Sequence, residues 1–227
     1  MKKILAASAI AMALAATGAN AAQTTLLKVT GKLAMAACTP ALGGGGTVDY
    51  GNIALGSLSA TETNRIGEKD VSFSITCPAP TKAAWAITDD RANTLADNIV
   101  VLEGDAAKNQ ISNVSMTYGV GDTAGNVHIG MYTIYADIAN VTADGVKVDA
   151  ISGATTTPAW TKSTTGIIKN GEMEMMTVAA TGTTAPLAYT TAVFPLKTVL
   201  AVQNTGMLKI TDDTKLDGQA TITIKYL

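Results

Sequence analysis

The sequence predicts an all-β protein built as an antiparallel sandwich. Three observations support this fold class: apolar and polar residues alternate over many short segments, turn signals separate those segments, and helical periodicity is almost absent. Successive side chains of a strand point to opposite faces, so alternation gives a strand one buried face. Short strands joined by frequent turns are typical of sandwiches, and a sandwich of about 205 residues can form one domain.

The start of the chain has the pattern of a signal peptide. Two lysines precede an apolar run over residues 4–16, and the small-x-small sequence Ala19-Asn20-Ala21 follows. The apolar run is shorter than the roughly 20 residues that a membrane-spanning helix needs. We therefore expect residues 1–22 to be removed during export through the periplasm.

Both ends of the expected mature chain alternate like single strands. Near its start, one face collects Thr25, Leu27, Val29, Gly31 and Leu33. Near its end, one face collects Ala220, Ile222, Ile224 and Tyr226. Chain ends usually fray, so two ends with such regular patterning indicate that each is paired with another element.

The interior of the chain contains further strand and turn patterns. The clearest strand is formed by Val71, Phe73, Ile75 and Cys77, which alternate with polar residues. Other strands are expected around Trp85 and Ile87, over residues 127–135, and over residues 99–102, 173–178, 193–202 and 207–210. Turns are expected at Asp144-Gly145, Asn170-Gly171 and Asp217-Gly218. Loops are expected over residues 43–46 and 152–166, and neither has the character of a linker, so residues 36–227 are expected to form one domain.

Two cysteines, Cys38 and Cys77, are expected to form one structural disulfide. An exported bacterial chain reaches an oxidising compartment, where paired cysteines form disulfides. Metal binding is the alternative, but the chain has no CxxC sequence and a single histidine. The sequence therefore favours a disulfide and predicts neither a metal site nor a cofactor.

The charge distribution excludes some classes of partner. The chain has 16 basic and 18 acidic residues; without Lys2 and Lys3 the basic residues fall to 14 and the formal net charge changes from −2 to −4. No run of lysine and arginine is present, so binding to nucleic acid has no electrostatic support. No basic amphipathic helix marks a membrane surface either.

The sequence contains no recognisable catalytic set. His128 is the single imidazole, and no GxSxG sequence accompanies it. Asp89 and Asp90 are adjacent and diverge, whereas glycoside hydrolysis needs two facing carboxylates. We expect Asp89-Asp90-Arg91 to form a capped turn with a local ion pair, and His128 to lie on the surface or in a groove. The protein is not expected to be an enzyme.

Several motifs together resemble those of Gram-negative chaperone-usher pilins. The segment TTLLKVTGKLAMAAC is similar to a pilin N-terminal extension with its first cysteine, and GQATITIKYL is similar to a pilin C-terminal strand with its penultimate tyrosine, here Tyr226. More narrowly, the chain resembles fimbrial proteins of the DUF1120 type in the segments CTPALGGGGTVDYGNI, SFSITCPAP, ITDDRANT, YGVGDTAGNVHIGMY and PAWTKS. The likeness covers essentially the whole expected mature chain.

The resemblance implies an incomplete immunoglobulin-like sandwich that lacks its last strand. Residues 23–35 would be donated to the groove of a neighbouring copy by donor-strand complementation. Leu27 and Val29 would enter that groove, where Gly31 would allow close backbone approach. The strand ending at Tyr226 would border the groove or contact a chaperone. The implied partners are neighbouring pilin subunits in a homopolymer or mixed fimbria, a periplasmic chaperone and an outer-membrane usher.

The implied function is that of a structural subunit of a fimbria at the cell surface, supporting adhesion or biofilm formation. Two features depart from the usual pilin pattern: Thr25 stands where many pilins have a small donor-strand residue, and residues 152–182 are extra. An alternative function is a tip or minor adhesin that binds a host glycan or protein, with Trp160 as a candidate contact. The donor-like strand favours a shaft or adaptor subunit over a tip adhesin.

Overall fold

The computed structural model describes residues 24–31 and 37–227, which belong to two separate units. Residues 24–31 have no regular secondary structure. Their apolar side chains face solvent, since Leu27 is 85% exposed and Val29 is 89% exposed. The expected signal peptide and Leu33 lie outside the described residues. The apolar side chains in the described part of the first unit are therefore exposed.

Twelve strands and one short α-helix follow one another in the second unit. The strands are β1 (Thr39–Leu42), β2 (Asn64–Thr81), β3 (Ala83–Asp89), β4 (Tyr118–Gly119), β5 (Gly130–Ala136), β6 (Thr142–Ala143), β7 (Val146–Lys147), β8 (Asp149–Ala154), β9 (Thr161–Lys162), β10 (Glu174–Ala179), β11 (Tyr189–Val202) and β12 (Ala220–Tyr226). The helix α1 spans Thr205–Leu208.

The strands form two antiparallel sheets that pack face to face. One sheet has the order β1-β2-β11-β5-β4, and the β6-β7 hairpin joins it through β11. The other sheet has the order β12-β3-β10-β8-β9. The predicted all-β sandwich is thus confirmed. Within the described residues, β1 and β12 are each an edge strand of their sheet.

Three aromatic side chains form the centre of the core between the sheets. The Trp85 ring packs edge-to-face on Phe73 at a centroid distance of 5.0 Å and on Phe194 at 5.5 Å. The alternation in β2 explains the burial of Phe73, because Ile75 and Cys77 on the same face are also buried. The strand patterns predicted at β2 and β3 are confirmed.

The connection between β3 and β5 adds apolar residues that cover the end of β11. On one face of this strand, Val199 packs with Val101 and Ile111. On the other face, Leu200 packs with Val120. Because both faces are covered, the end of β11 is a continuous apolar run without alternation.

A short helix replaces the strand predicted at residues 207–210. The side chain of Asn204 accepts a hydrogen bond from the backbone N–H of Met207 at 2.9 Å and caps α1. Lys209 follows in the left-handed conformation, with φ 48°, and ends the helix. A four-residue apolar pattern does not distinguish a strand from a helical turn. No helix in the described part of the chain is long and apolar enough to cross a membrane.

Two further predictions of secondary structure need correction. Residues 99–102 form no strand, because Val101 makes only one isolated bridge before the chain turns away. Residues 152–166 are not a continuous loop, since β8 extends to Ala154 and β9 occupies Thr161–Lys162. Serine, threonine and glycine hide the alternation of these two strands in the sequence.

The turn predicted at Asp144-Gly145 is confirmed. These two residues join β6 to β7 with φ values of 48° and 79°. Two consecutive residues with positive φ give the hairpin turn whose twist matches that of its strands. The carboxylate of Asp144 also accepts hydrogen bonds from the N–H groups of Thr190 and Thr191, which fastens the hairpin to β11.

Candidate functional site: the open edge between β1 and β12

A disulfide links the residue before β1 to β2. Cys38 and Cys77 are bonded, with their Cα atoms 4.2 Å apart, as the sequence predicted. Both cysteines belong to the main apolar core. In the chain-entropy model, a loop of 39 residues closed by a disulfide stabilises the fold by about 4 kcal/mol. The disulfide therefore fixes the start of the edge strand β1.

The strand β12 has one face toward the core, as its alternation predicted. Ala220, Ile222 and Ile224 pack against the main core cluster, yet all three remain partly exposed. On the neighbouring strand β3, Trp85 and Ile87 are fully buried opposite Ile224 and Ile222. The core-facing row of β12 is thus covered on one side only.

The backbone of β12 alternates between groups bound to β3 and groups that point away from it. The N–H of Leu227 donates to the carbonyl of Lys82 at 3.1 Å, and the N–H of Asp90 donates to the carbonyl of Gln219 at 3.0 Å. Hydrogen-bonded pairs recur at every second residue of an antiparallel ladder, so the odd-numbered residues of β12 bind β3. The groups that point away from β3 belong to Ala220, Ile222, Ile224 and Tyr226.

A hydrogen bond on the far side of β3 supports this assignment. The carbonyl of Ile87 accepts a hydrogen bond from the N–H of Glu172 at 2.9 Å, so the backbone groups of Ile87 point away from its neighbour Ile222. Ile222 consequently presents its own N–H and C=O at the free edge of the sheet. Unpaired groups of this kind are a template for another strand.

The strand β1 forms the second border of the site, and its free edge differs from the free edge of β12. The carbonyl of Thr191 on β11 accepts a 2.7 Å hydrogen bond from the N–H of Asp144 in the β6-β7 hairpin, so the backbone groups of Thr191 point away from β2. The backbone groups of its partner Thr76 therefore face β1. Thr76 pairs with Thr39, so the backbone groups of Thr39 face β2. The backbone direction alternates along the strand, so the backbone nitrogen and carbonyl of Pro40 point away from β2. Proline has no N–H, so this edge lacks a donor at Pro40.

Two aromatic rings lie in the core beneath this edge, and both are fully buried. Leu42 on β1 pairs with Phe73, and Ile224 on β12 pairs with Trp85. The Phe73 and Trp85 rings are in contact, so Leu42 and Ile224, which we call the two rims, pack against one cluster around this aromatic pair, which we call the floor. The indole nitrogen of Trp85 has no hydrogen-bond partner among the described residues. We call the border between the two edge strands β1 and β12 the edge groove.

A polar contact closes one end of the edge groove, where the N–H of Cys38 donates a hydrogen bond to the hydroxyl of Tyr226 at 2.7 Å. The hydroxyl of Thr221, on the outer face of β12, contacts the carboxylate of Asp90 at 2.8 Å. On the outer face of β12, Lys225 forms a 2.6 Å ion pair with Glu172.

The sequence Asp89-Asp90-Arg91 forms the predicted capped turn, but its ion pair is not local. The carboxylate of Asp89 accepts hydrogen bonds from the N–H groups of Arg91 and Gly119 at 2.8 and 2.9 Å. Burial raises the pKa of Asp89, although these hydrogen bonds oppose the shift. Arg91 instead pairs with Asp217 at 2.8 Å, which holds the segment that leads into β12.

The remaining candidate residues do not join the edge groove. His128 lies partly exposed on a β-bridge beside Asp122, with its Nδ1 atom 2.6 Å from the carboxylate. Trp160 packs on Ala84 and Met175 on the outer face of the second sheet. Within residues 24–31 and 37–227, no group of three or more His, Cys, Asp or Glu side chains converges.

Sequence reasoning found the core-facing row of β12 but missed three parts of the site. These parts are the rim at Leu42, the floor of Phe73 and Trp85, and the missing donor at Pro40. A proline among the first residues after a cysteine is a signal for an edge strand, because it cannot pair on both sides. The rim and floor depend on which strands face each other, which the alternation of one strand does not reveal.

The fold and the edge groove define a β-sandwich with one disulfide and an uncovered apolar edge. A family model described as "Protein of unknown function (DUF1120)" matches residues 27–133. Protein GltF of Escherichia coli (strain K12) is 30% identical over 257 residues, covering 100% of this chain and 99% of that protein. The uncharacterized protein YhcF of the same organism is 29% identical over 231 residues, covering 93% of this chain and 94% of that protein. The chain belongs to the DUF1120 family.

Proposed function

We propose that this protein is a structural subunit of a surface fimbria, which polymerises by donating residues 23–35 to the edge groove of the next copy. One observation carries the proposal: the chain contains both an uncovered apolar edge, at Ile222 and Ile224, and an exposed apolar segment, at Leu27 and Val29. The segment can provide a covering strand for the edge, and the edge can provide an apolar surface on which Leu27 and Val29 are buried.

Strand addition to a sheet edge uses two kinds of contact. Backbone hydrogen bonds to the free groups of β12 provide affinity, and alternate side chains entering the groove provide specificity. Burying Leu27 and Val29 contributes roughly 1.5–3 kcal/mol each. Repeating this head-to-tail contact produces a filament, because the contact does not close on itself.

An uncovered edge explains why other proteins take part in assembly. Before polymerisation, the groups at Ile222 and Ile224 are an aggregation hazard unless another strand covers them. A periplasmic chaperone covers the edge groove first, and an outer-membrane usher exchanges it for the next subunit. The signal-peptide pattern at residues 1–22 supports export by this route.

The sharpest test places charges on one face of the donated segment. In the double variant Leu27→Asp/Val29→Asp, two carboxylates would have to enter an apolar groove, so we expect folded subunits and no filaments. The control is Leu26→Asp/Thr30→Asp, which places the same charges on the opposite face, and it should still form filaments. Electron microscopy and SDS-resistant ladders on gels measure assembly.

Deleting residues 22–33 provides a second test without new charges. The expected product is a folded, chaperone-bound monomer with the Cys38–Cys77 disulfide intact. Filaments formed by the deletion variant, or by Leu27→Asp/Val29→Asp, would contradict the proposal. Loss of filaments in the control pair but not in the groove-facing pair would contradict it as well.

A further inference from the structure

We propose that an open cleft in the connection between β3 and β5 binds a neutral sugar ring, which Asp97, Asn98 and Ser112 hold by hydrogen bonds to its hydroxyl groups. The cleft has a volume of about 350 Å³. None of the residues that line it belongs to the edge groove, so binding at this site does not depend on strand donation.

Apolar side chains form the base of the cleft on the face of β5 that points away from the main core. Ile134 of this strand belongs to the main core, whereas Met131 lies on the opposite face of the sheet. Met131 packs there with Ile99 in a separate apolar cluster, and both side chains are buried. Val114 also lines the cleft and is 63% exposed. The cleft therefore has a buried apolar base and one exposed apolar wall.

Three polar side chains line the same cleft without partners among the described residues. Asp97, Asn98 and Ser112 are exposed, and no hydrogen bond or ion pair joins their side chains to another described residue. Other polar side chains of this connection are occupied. The carboxylate of Asp105, for example, accepts hydrogen bonds from two backbone N–H groups at 2.9 Å. The three residues at the cleft, which we call the polar set, are thus available to a ligand.

A second cleft on the same connection lacks such available groups. It has a volume of about 380 Å³, and Arg65, Glu103 and Lys108 are among the residues that line it. Arg65 pairs with Glu103 at 2.8 Å, and Lys108 pairs with Glu68 at 3.1 Å. A ligand there would compete with these ion pairs, whereas a ligand beside Asp97 displaces only water. The availability of polar groups, and not the volume, therefore distinguishes the two clefts.

Backbone hydrogen bonds hold the walls of the cleft in place. Val101 and Ile111 exchange two hydrogen bonds of 2.9 Å, which join the two chain segments that line the cleft. The side-chain amide of Asn170 donates to the carbonyl of Val114 at 2.8 Å. A site whose groups are already positioned loses less conformational freedom when a ligand binds. These contacts favour recognition by a preformed site.

The chemistry of the lining matches a sugar ring. A carboxylate accepts hydrogen bonds, whereas an amide and a hydroxyl both donate and accept. The hydroxyl groups of a sugar also do both, and its C–H groups provide an apolar face for Ile99 and Val114. Small-molecule sites usually combine an apolar lining with a few polar groups that fix the orientation of the ligand. The volume of about 350 Å³ lies at the lower end of their usual range, which favours a short ligand.

The charge of the cleft favours a neutral sugar over an anionic one. Asp97 is the only charged residue that lines it, and no lysine or arginine of the lining opposes its negative charge. The carboxylate or phosphate of an anionic ligand would be repelled by Asp97. A peptide ammonium group would satisfy Asp97 but would leave Asn98 and Ser112 without partners. The hydroxyl groups of a sugar ring can bind all three.

Titration of the purified monomer with methyl glycosides, followed by two-dimensional NMR, tests the site. The neutral probes are the methyl glycosides of glucose, galactose, mannose and N-acetylglucosamine, and the anionic probe is that of sialic acid. We expect a neutral probe to shift the signals of Asn98, Ser112 and Val114 with a Kd on the order of 1 mM, and the sialoside to bind at least about tenfold more weakly. Absence of such shifts with every neutral probe up to about 20 mM would overturn the proposal. Shifts confined to the indole of Trp160 would overturn it too, because they would place the sugar elsewhere.

Two variants test the roles of the polar set. Asp97→Asn keeps the shape of the side chain but removes its charge, so the neutral glycoside should bind about tenfold more weakly. Ser112→Ala should weaken binding about three- to fivefold. Asp213→Asn makes the same change at an exposed carboxylate that does not line the cleft, so it is the matched control and should bind like the unchanged protein. Equal binding by all three variants would contradict the assignment.

Deoxy analogues of the glycoside that binds test the hydrogen bonds from the side of the ligand. Loss of the hydroxyl that contacts Asp97 should weaken binding to the unchanged protein at least about tenfold, because a polar group of the site is left unpaired. The same analogue should lose much less affinity for Asp97→Asn, since the two changes remove one interaction. Equal binding by every deoxy analogue would overturn the proposal. Binding of Nα-acetyl-lysine amide without binding of any sugar would also overturn it and would assign the cleft to a peptide side chain.

Discussion

The backbone N–H of Cys38 donates a hydrogen bond to the hydroxyl of Tyr226 at 2.7 Å, although 188 positions separate the two residues. The bond joins the edges of the two sheets at one end of the edge groove. Cys38 is also held to β2 by its disulfide with Cys77. One end of the groove is therefore firmly closed, whereas Ile222 and Ile224 farther along β12 remain only partly covered.

The first prediction concerns this hydrogen bond. Replacing Tyr226 by phenylalanine keeps the ring but removes the acceptor of the Cys38 N–H, so the free energy of unfolding should fall by about 1 kcal/mol. Urea titration of purified monomer measures this change. Tyr226→Ala should cost more, because it also removes the ring. Equal stability of Tyr226→Phe and the unchanged protein would show that the hydrogen bond contributes nothing.

The second prediction concerns the disulfide. The double variant Cys38→Ser/Cys77→Ser should lose about 4 kcal/mol of stability, because its unfolded chain is no longer cross-linked. Reducing the unchanged protein should produce the same loss, and adding reductant to the double variant should change nothing further. Thermal or urea unfolding with and without reductant makes the comparison. A loss below about 1 kcal/mol would mean that strain in the folded state offsets the cross-link.

The sequence alone predicts those strands in which apolar and polar residues alternate within a single segment. The sequence predicts that Ile222 and Ile224 lie on one face of the last strand, because a period of two residues is visible within one segment. It predicts strands at Phe73 and Trp85 for the same reason. Their contact across the core could not be predicted, because it depends on how two sheets pack and not on the alternation of either strand.

Long-range polar contacts were likewise hidden from the sequence. The sequence predicts that Arg91 pairs within its own turn, but its partner is Asp217, 126 positions away. Adjacent charges indicate a local pair, whereas the fold brings the segment that leads into β12 against that turn. The helix α1 was missed because its cap, Asn204, outweighs the weak strand pattern that follows it.

The third prediction concerns pH and rests on Glu68. Desolvation acts to raise the pKa of Glu68, but hydrogen bonds from Lys197, Tyr135 and Lys108 outweigh it and lower the pKa to about 2. The folded-state pKa lies below the unfolded one, so the stabilisation is present above about pH 4.5 and is lost as the pH falls toward 2.

The variant Glu68→Gln tests this pH dependence directly. At pH 7 it should be less stable than the unchanged protein by about 1–2 kcal/mol, a value reduced for the partial solvent exposure of the cluster. The difference should shrink as the pH falls and largely vanish near pH 2. Glu62→Gln, at an exposed position, is the control and should show little change. A difference for Glu68→Gln that is independent of pH would contradict the prediction.

The last prediction concerns Pro40, which removes a donor from the free edge of β1. Edge strands often carry proline because a missing N–H prevents continuous pairing with another chain. Replacing Pro40 by alanine restores the donor, so the isolated subunit should aggregate faster, while its fold and disulfide are preserved. Pro158→Ala, in the connection between β8 and β9, is the matched control and should aggregate at the original rate. Light scattering of chaperone-free subunit over time measures the effect. If both variants aggregate alike, the edge of β1 is not protected by its proline, and β12 alone determines how the subunit meets another strand.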